Sequence, residues 1–96
     1  MTYSLAFVDS ALKEWRKLAP ALRTQFKNKL RERLDNPHVV SARLHGLADC
    51  YKIKLRSAGY RLVYQVDNKV LLVTVIGVGK RENGMVYAAA NKRLKK

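Results

Sequence analysis

Basic and apolar side chains alternate through Tyr51-Lys52-Ile53-Lys54-Leu55-Arg56, and a further cation, Arg61, follows the turn signal Ser57-Ala58-Gly59-Tyr60. Residues two apart point to the same side of an extended chain, so Lys52, Lys54 and Arg56 share one face of a strand. If Ala58-Gly59 makes a two-residue turn, residues 60–66 (YRLVYQV) return antiparallel. Arg56 then lies opposite Arg61, Leu55 opposite Leu62, and Ile53 opposite Tyr64. Apolar side chains meet on one face, and Lys52, Lys54, Arg56 and Arg61 gather on the other. Like charges across a strand pair repel, and no acidic residue lies among these cations to relieve them. A phosphate group is the natural external partner. The plainer reading is a solvated, lysine-rich face of the kind that protects edge strands from aggregation.

Such a face has the residue types to act on a phosphodiester. Cleavage of RNA by its own 2′-hydroxyl needs a base, a stabiliser for the charged phosphorane and an acid for the departing 5′-oxygen. Histidine is the common base, but His38 and His45 sit ahead of the strand. Lysine can take a proton only if its pKa falls, and neighbouring cations push it that way. Arginine keeps its proton, so its role is electrostatic. These residues permit a lysine–arginine nuclease without singling one out.

The rest of the chain must position them. Its 96 residues make one domain, 1–96, with room for a modest core. Twenty Lys and Arg against seven Asp and Glu give a formal charge of +13. That much self-repulsion implies a polyanionic partner, nucleic acid first and an acidic protein second, with a membrane surface a weak third. Cys50 has no second cysteine for a disulfide and cannot build a zinc site alone, so it reads as an inert thiol, and no metal is expected. No apolar run reaches the ~18 residues of a membrane span, and MTYSLAFVDS lacks the pattern of a signal peptide. A cytoplasmic protein is the expectation.

Residues 3–8 (YSLAFV) predict a strand, and Asp9 stands where a helix cap should. Ala11, Leu12, Trp15 and Leu18 then recur at helical spacing. Ala19-Pro20 breaks that helix and starts another, in which Leu22, Phe26, Leu30 and Leu34 face inward. Arg23, Lys27, Lys29, Arg31 and Arg33 cover its remaining surface, and Asn36-Pro37 ends it. Residues 38–49 read as loop with a turn at Gly46. After the basic hairpin, Asp67-Asn68 suits a two-residue turn, and residues 69–78 (KVLLVTVIGV) are apolar on both faces, as a central strand would be. A last helix is expected from about Asn83, with Val86, Tyr87, Ala90 and Leu94 on one side, where Tyr87 would by default be a core residue. The order β-α-α-β-β-β-α predicts an α+β domain: a twisted antiparallel sheet backed by an N-terminal helical hairpin.

The segments ALKEWRKL, CYKIKLRSAGYRLVYQV and IGVGKRENGMVY together resemble the RelE toxins of bacterial toxin–antitoxin pairs, over essentially the whole length. The resemblance implies a microbial RNase-like fold and a ribosome-dependent cut of mRNA in the decoding site. It implies no metal or cofactor, and products ending in a 2′,3′-cyclic phosphate. Lys52 and Lys54 would supply the base and hold the phosphate, Arg61 would stabilise developing charge, Arg81 would help the leaving group, and Tyr87 would stack on a base. Strict alternation from Arg61 places Arg81 on the opposite face unless a bulge at Gly77 or Gly79 turns it. Arg23, Lys27, Lys29 and Arg33 are candidates to grip 16S ribosomal RNA, with Arg56 and Lys80 as further RNA contacts. On a plainer view, the helical cations only keep their helix soluble. His45 stands where the family commonly has arginine and would make a weaker, titratable contact. The expected partners are the ribosome, mRNA, an acidic RelB-like antitoxin and, through the antitoxin complex, operator DNA. A gyrase-inhibiting toxin of the same fold and a non-catalytic RNA-binding protein are the competing classes.

Overall fold

The computed structural model describes residues 2–80 and 85–94. The elements are β1 (Ser4–Phe7), α1 (Asp9–Arg16), α2 (Pro20–Asp35), a 3-10 turn (Val40–Ala42), β2 (Cys50–Leu55), β3 (Tyr60–Asp67), β4 (Leu72–Lys80) and α3 (Met85–Leu94). This is the β-α-α-β-β-β-α order that periodicity predicts. Boundaries differ by a few residues. β4 starts at Leu72 rather than Lys69, and the expected start of the last helix at Asn83 lies outside the described residues. Val8, not Asp9, occupies the cap position of α1, with no side-chain cap. Asp9 lies inside the first turn, where a carboxylate still complements the helix dipole. Pro20 opens α2, and Asn36 leaves helical backbone just before Pro37.

The sheet runs in the order β1-β4-β3-β2. Its three sequential strands are antiparallel as expected, but β1 lies parallel to β4. Two reversals separate β2 from β4, so those two strands point the same way. The intervening helices and hairpins supply the long crossover that a parallel neighbour requires. Local alternation identifies each strand but carries no information about a partner so distant in sequence.

Both hairpin turns are wider than two residues. Leu55 pairs with Tyr60 and Lys54 with Arg61, so residues 56–59 form the first turn. Gly59 closes it at φ +69, its N–H donating to the Leu55 carbonyl at 2.9 Å. Leu55 therefore meets Tyr60 rather than Leu62, an even-numbered slip that leaves every side chain on its expected face. At the second turn Asp67 pairs with Leu72, and residues 68–71 lie between. The Asp67 carboxylate accepts the Lys69 N–H at 2.9 Å, which favours this wider path over an Asp67-Asn68 turn.

A bulge interrupts β4. Val63 pairs with Gly77 and Tyr64 with Val75, which leaves Ile76 as an extra residue. Val75 and Val78 consequently both face the helical hairpin, while Ile76 faces α3. The sheet thus buries both sides. Ala11, Trp15, Phe26 and Leu30 pack on Ile53, Leu62, Tyr64 and Val73 over one face. Val86 and Ala90 of α3 pack on Cys50, Val63 and Ile76 over the other. Each fully buried aliphatic side chain stabilises this arrangement by about 1.5–3 kcal/mol.

Arg33 is half-buried rather than fully solvated. Its Nη1 donates to the Lys52 carbonyl at 3.0 Å and to the Tyr64 hydroxyl at 2.9 Å, bracing α2 against β2. The Tyr64 hydroxyl in turn donates to the Pro37 carbonyl at 2.7 Å, and its ring stacks on Tyr51. Burial pushes the Tyr64 pKa up, with Arg33 pulling part of the way back, so the phenol stays protonated. Tyr64→Phe strands both the Pro37 carbonyl and one Arg33 donor. A loss of about 1–3 kcal/mol is expected, read from the urea midpoint at unchanged m-value.

Candidate active site

The wider β2–β3 turn sets Lys54 directly opposite Arg61, in the place expected of Arg56. Lys52 stands two residues back on the same face, opposite Val63, and all three side chains are half-buried. Arg56 sits exposed in the turn at the rim. Among the described residues, the ion pair formed is Glu14–Arg93, so no carboxylate neutralises this group of cations. The consequence falls on Lys54. Its pKa is held below the ordinary lysine value, chiefly by Lys52, then by burial, Arg61, Arg56 and the side-chain contact with Lys52. A neutral amine is therefore easier to form here than on an isolated lysine.

Helix α3 closes one flank. Arg61 reaches across to Tyr87, its Nη1 donating to the hydroxyl at 2.9 Å and its Cζ lying 5.4 Å from the ring centroid. Tyr87 also packs its apolar body against the small core of Cys50, Val63 and Ile76. The core and site readings of this tyrosine are therefore compatible: a buried stem and a polar tip. Lys52, Lys54, Arg61 and Tyr87 form one constellation. It can receive a phosphodiester, offer it a proton acceptor, neutralise added charge and present an aromatic ring.

The other sequence candidates are dispersed. Arg81 lies outside the described residues, and Lys80 is exposed at the end of β4. His45 is exposed in the loop beside Gly46. Lys27 and Lys29 project into solvent from α2, on the opposite side of the sheet from Lys54, while Arg23 is half-buried and donates to the Arg16 carbonyl. Arg33 is half-buried, and its Nη1 is bonded to the Lys52 carbonyl and the Tyr64 hydroxyl. Cys50 is fully buried, and burial, with Asp49 adding to it, pushes its thiol up to about 11, which keeps it unreactive. Among the described residues no three His, Cys, Asp or Glu side chains are grouped to hold a metal ion. None of the helices there is long and apolar enough to cross a membrane.

Sequence reasoning missed the partnership of Glu14 with Arg93. Arg93 donates to Glu14 Oε1 at 3.0 Å and Oε2 at 3.1 Å, and also to the Ile76 carbonyl at 2.7 Å. The glycines in the β4 stretch were a usable hint of irregular backbone there. Nothing in the pattern signalled which side chains would fill it.

The cationic sheet face, flanked by a tyrosine-bearing helix, thus sits on a β-α-α-β-β-β-α frame. The family described as "ParE toxin of type II toxin-antitoxin system, parDE" matches residues 5–85. The mRNA interferase toxin RelE of Escherichia coli K12 is 55% identical over 94 residues, covering 98% of this chain and 99% of that protein. A structure of an E. coli RelE variant in the free state superposes with a TM-score of 0.91 at 54% identity, covering 98% of this chain and 99% of that one. A chain of the intact E. coli RelBE toxin–antitoxin complex gives a TM-score of 0.82 at 56% identity, covering 84% and 99%. The chain belongs to the RelE toxins.

Proposed function

We propose that this toxin is an endoribonuclease that cuts mRNA in the ribosomal A site, with the Lys52–Lys54–Arg61 face holding the scissile phosphate. The observation that carries the reading is Lys54 set directly across from Arg61, with Lys52 depressing its pKa and, among the described residues, no carboxylate bound to any of them. Neutral Lys54 takes the 2′-hydroxyl proton, and the 2′-oxygen attacks phosphorus. Arg61 and Lys52 stabilise the phosphorane as charge builds on its oxygens. The P–O5′ bond breaks as Arg81 neutralises the departing 5′-oxyanion, which takes up a proton from water, leaving a 2′,3′-cyclic phosphate and a 5′-hydroxyl. Tyr87 stacks on a base of the message. The step needs no metal or cofactor.

A lysine base among arginines is weaker than a dedicated acid–base pair. It depends on a message already held in line, and such ordering can supply on the order of 7 kcal/mol. The decoding site does that holding, with Lys27, Lys29 and Arg23 of α2, and His45, Arg56 and Lys80, as contacts to 16S rRNA or mRNA. The toxin acts in the cytoplasm. A RelB-like acidic antitoxin neutralises it, in keeping with the formal +13 charge and with the toxin–antitoxin complex solved for the E. coli relative. Together they repress their own operon through operator DNA.

The ParE family match favours one other reading, a toxin that inhibits DNA gyrase by binding. Purified protein incubated with mRNA, with and without ribosomes, and separately with gyrase decides between them. Codon-positioned cuts appearing only with ribosomes are expected. Gyrase inhibition with intact message, or cuts that ignore the ribosome, would reject the proposal.

A further inference from the structure

We propose that the Glu14–Arg93 ion pair is a positioning device for Tyr87, acting from the β4 bulge; the inference rests on the reading of the cationic face as an RNA-cleaving site. The pairing of β1 with β4 stops at Phe7–Val75. Immediately beyond it, the bulge at Ile76 leaves β4 backbone groups in need of partners from outside the sheet. Arg93 Nη1 donates to the Ile76 carbonyl at 2.7 Å, and Glu14 Oε1 accepts the Val78 N–H at 3.2 Å. The two side chains also bind each other through two bonds of 3.0 and 3.1 Å. One ion pair therefore ties α1, the bulge and α3 together.

Arg93 belongs to the same helix as Tyr87. Among the described residues, α3 has two side-chain anchors to the rest of the protein: Tyr87 to Arg61 near its start, and Arg93 to Glu14 and Ile76 near its end. Val86 and Ala90 are buried along the stretch they span. The second anchor fixes where α3 lies along β4, and so where the Tyr87 ring meets Arg61. Gly77 is part of the fitting. A Cβ there would stand 3.2 Å from Arg93 Nη1, so glycine leaves the space that the guanidinium occupies. The side chains of Arg93 and Glu14 remain 22% and 35% exposed, so screening limits what the pair adds to global stability. Its geometry suits placement better than bulk stabilisation.

The test uses the full chain in single-turnover cleavage of ribosome-bound message at saturating ribosome. Arg93→Gln and Glu14→Gln are each expected to slow cleavage about 10- to 100-fold without weakening ribosome binding, the range for a small misplacement of a reacting group. Gly77→Ala, which keeps both charges, should slow it in the same direction, and Arg93→Lys should recover part of the loss. A Tyr87→Ala background provides the readout that a merely structural role would not move. There Arg93→Gln should cost little more, within about twofold, because both changes act through one side chain. Losses that multiply in the double variant would overturn the inference. An arm independent of activity follows the Tyr87 ring and Arg61 guanidinium resonances by NMR. Arg93→Gln should shift them while leaving those of Trp15 and Tyr64 in place, and unmoved Tyr87 and Arg61 signals would equally overturn it. Should the wild-type protein leave ribosome-bound message intact, the functional reading fails, and the resonances still decide whether the pair positions Tyr87.

Discussion

The double variant Lys52→Ala/Lys54→Ala is expected to lose cleavage of ribosome-bound mRNA by about 10⁴-fold or more, with antitoxin binding retained. Two effects combine in that figure. A positioned general base contributes about 10²–10⁴-fold, and one preorganised charge on a phosphorane oxygen about 10²–10³-fold. The fold should survive, because neither ammonium is paired with a carboxylate among the described residues and Lys54 is held in a like-charged cluster. The two single variants should differ in kind. If neutral Lys54 is the base, the rate climbs with pH and levels off above the Lys54 pKa. Lys54→Ala removes that dependence. Lys52→Ala moves it to higher pH, because Lys52 is the largest cause of the depressed Lys54 value. Single-turnover rates across pH on pre-bound ribosomes distinguish these behaviours. Growth arrest undiminished in the double variant would sink the assignment.

Which parts of this site could be read in the sequence follows from how far its physics reaches along the chain. The alternation from Tyr51 to Arg56 is local and has period two, so the division into apolar and cationic faces was legible. That division survived a misjudged turn, since the slip from Leu62 to Tyr60 opposite Leu55 is even-numbered. An odd slip would have sent Lys54 into the core. Which cation faces Arg61 was not legible, because it depends on Gly59 adopting positive φ in a wider turn. Arg33 shows a different blindness. On a helix, a basic residue bound for solvent and one bound for a strand carbonyl look alike, and its partners Lys52 and Tyr64 belong to another part of the chain. Glu14 and Arg93 sit near opposite ends, and they meet only because a bulge opens β4 between them. The parallel placement of β1 is of the same kind, fixed by how the helical hairpin returns the chain rather than by any short pattern.

Arg61→Ala tests whether that constellation works as a unit, and the expected loss is about 10²–10³-fold in single-turnover cleavage. The guanidinium has two tasks that alanine cannot share. On the proposed mechanism it meets the phosphate beside Lys54, and in the structure it holds the Tyr87 hydroxyl at 2.9 Å. A third consequence concerns the base. Arg61 helps to depress the Lys54 pKa, so its removal lets that value rise, and the ascending limb of the rate profile shifts to higher pH. The shift should be smaller than for Lys52→Ala, since Lys52 is the larger cause. Raising the pH should therefore recover the part of the defect that comes from excess protonation of Lys54 and leave the electrostatic part untouched. Arg61→Lys separates the tasks further. It restores a positive charge and much of the pKa effect, but an ammonium lacks the planar fork that can serve Tyr87 and a phosphate oxygen together. An intermediate rate with a near-normal pH limb is the expected result. If Arg61→Ala cleaves within about threefold of wild type, Arg61 does not stabilise the transition state, and the cation face would have to act through its lysines alone.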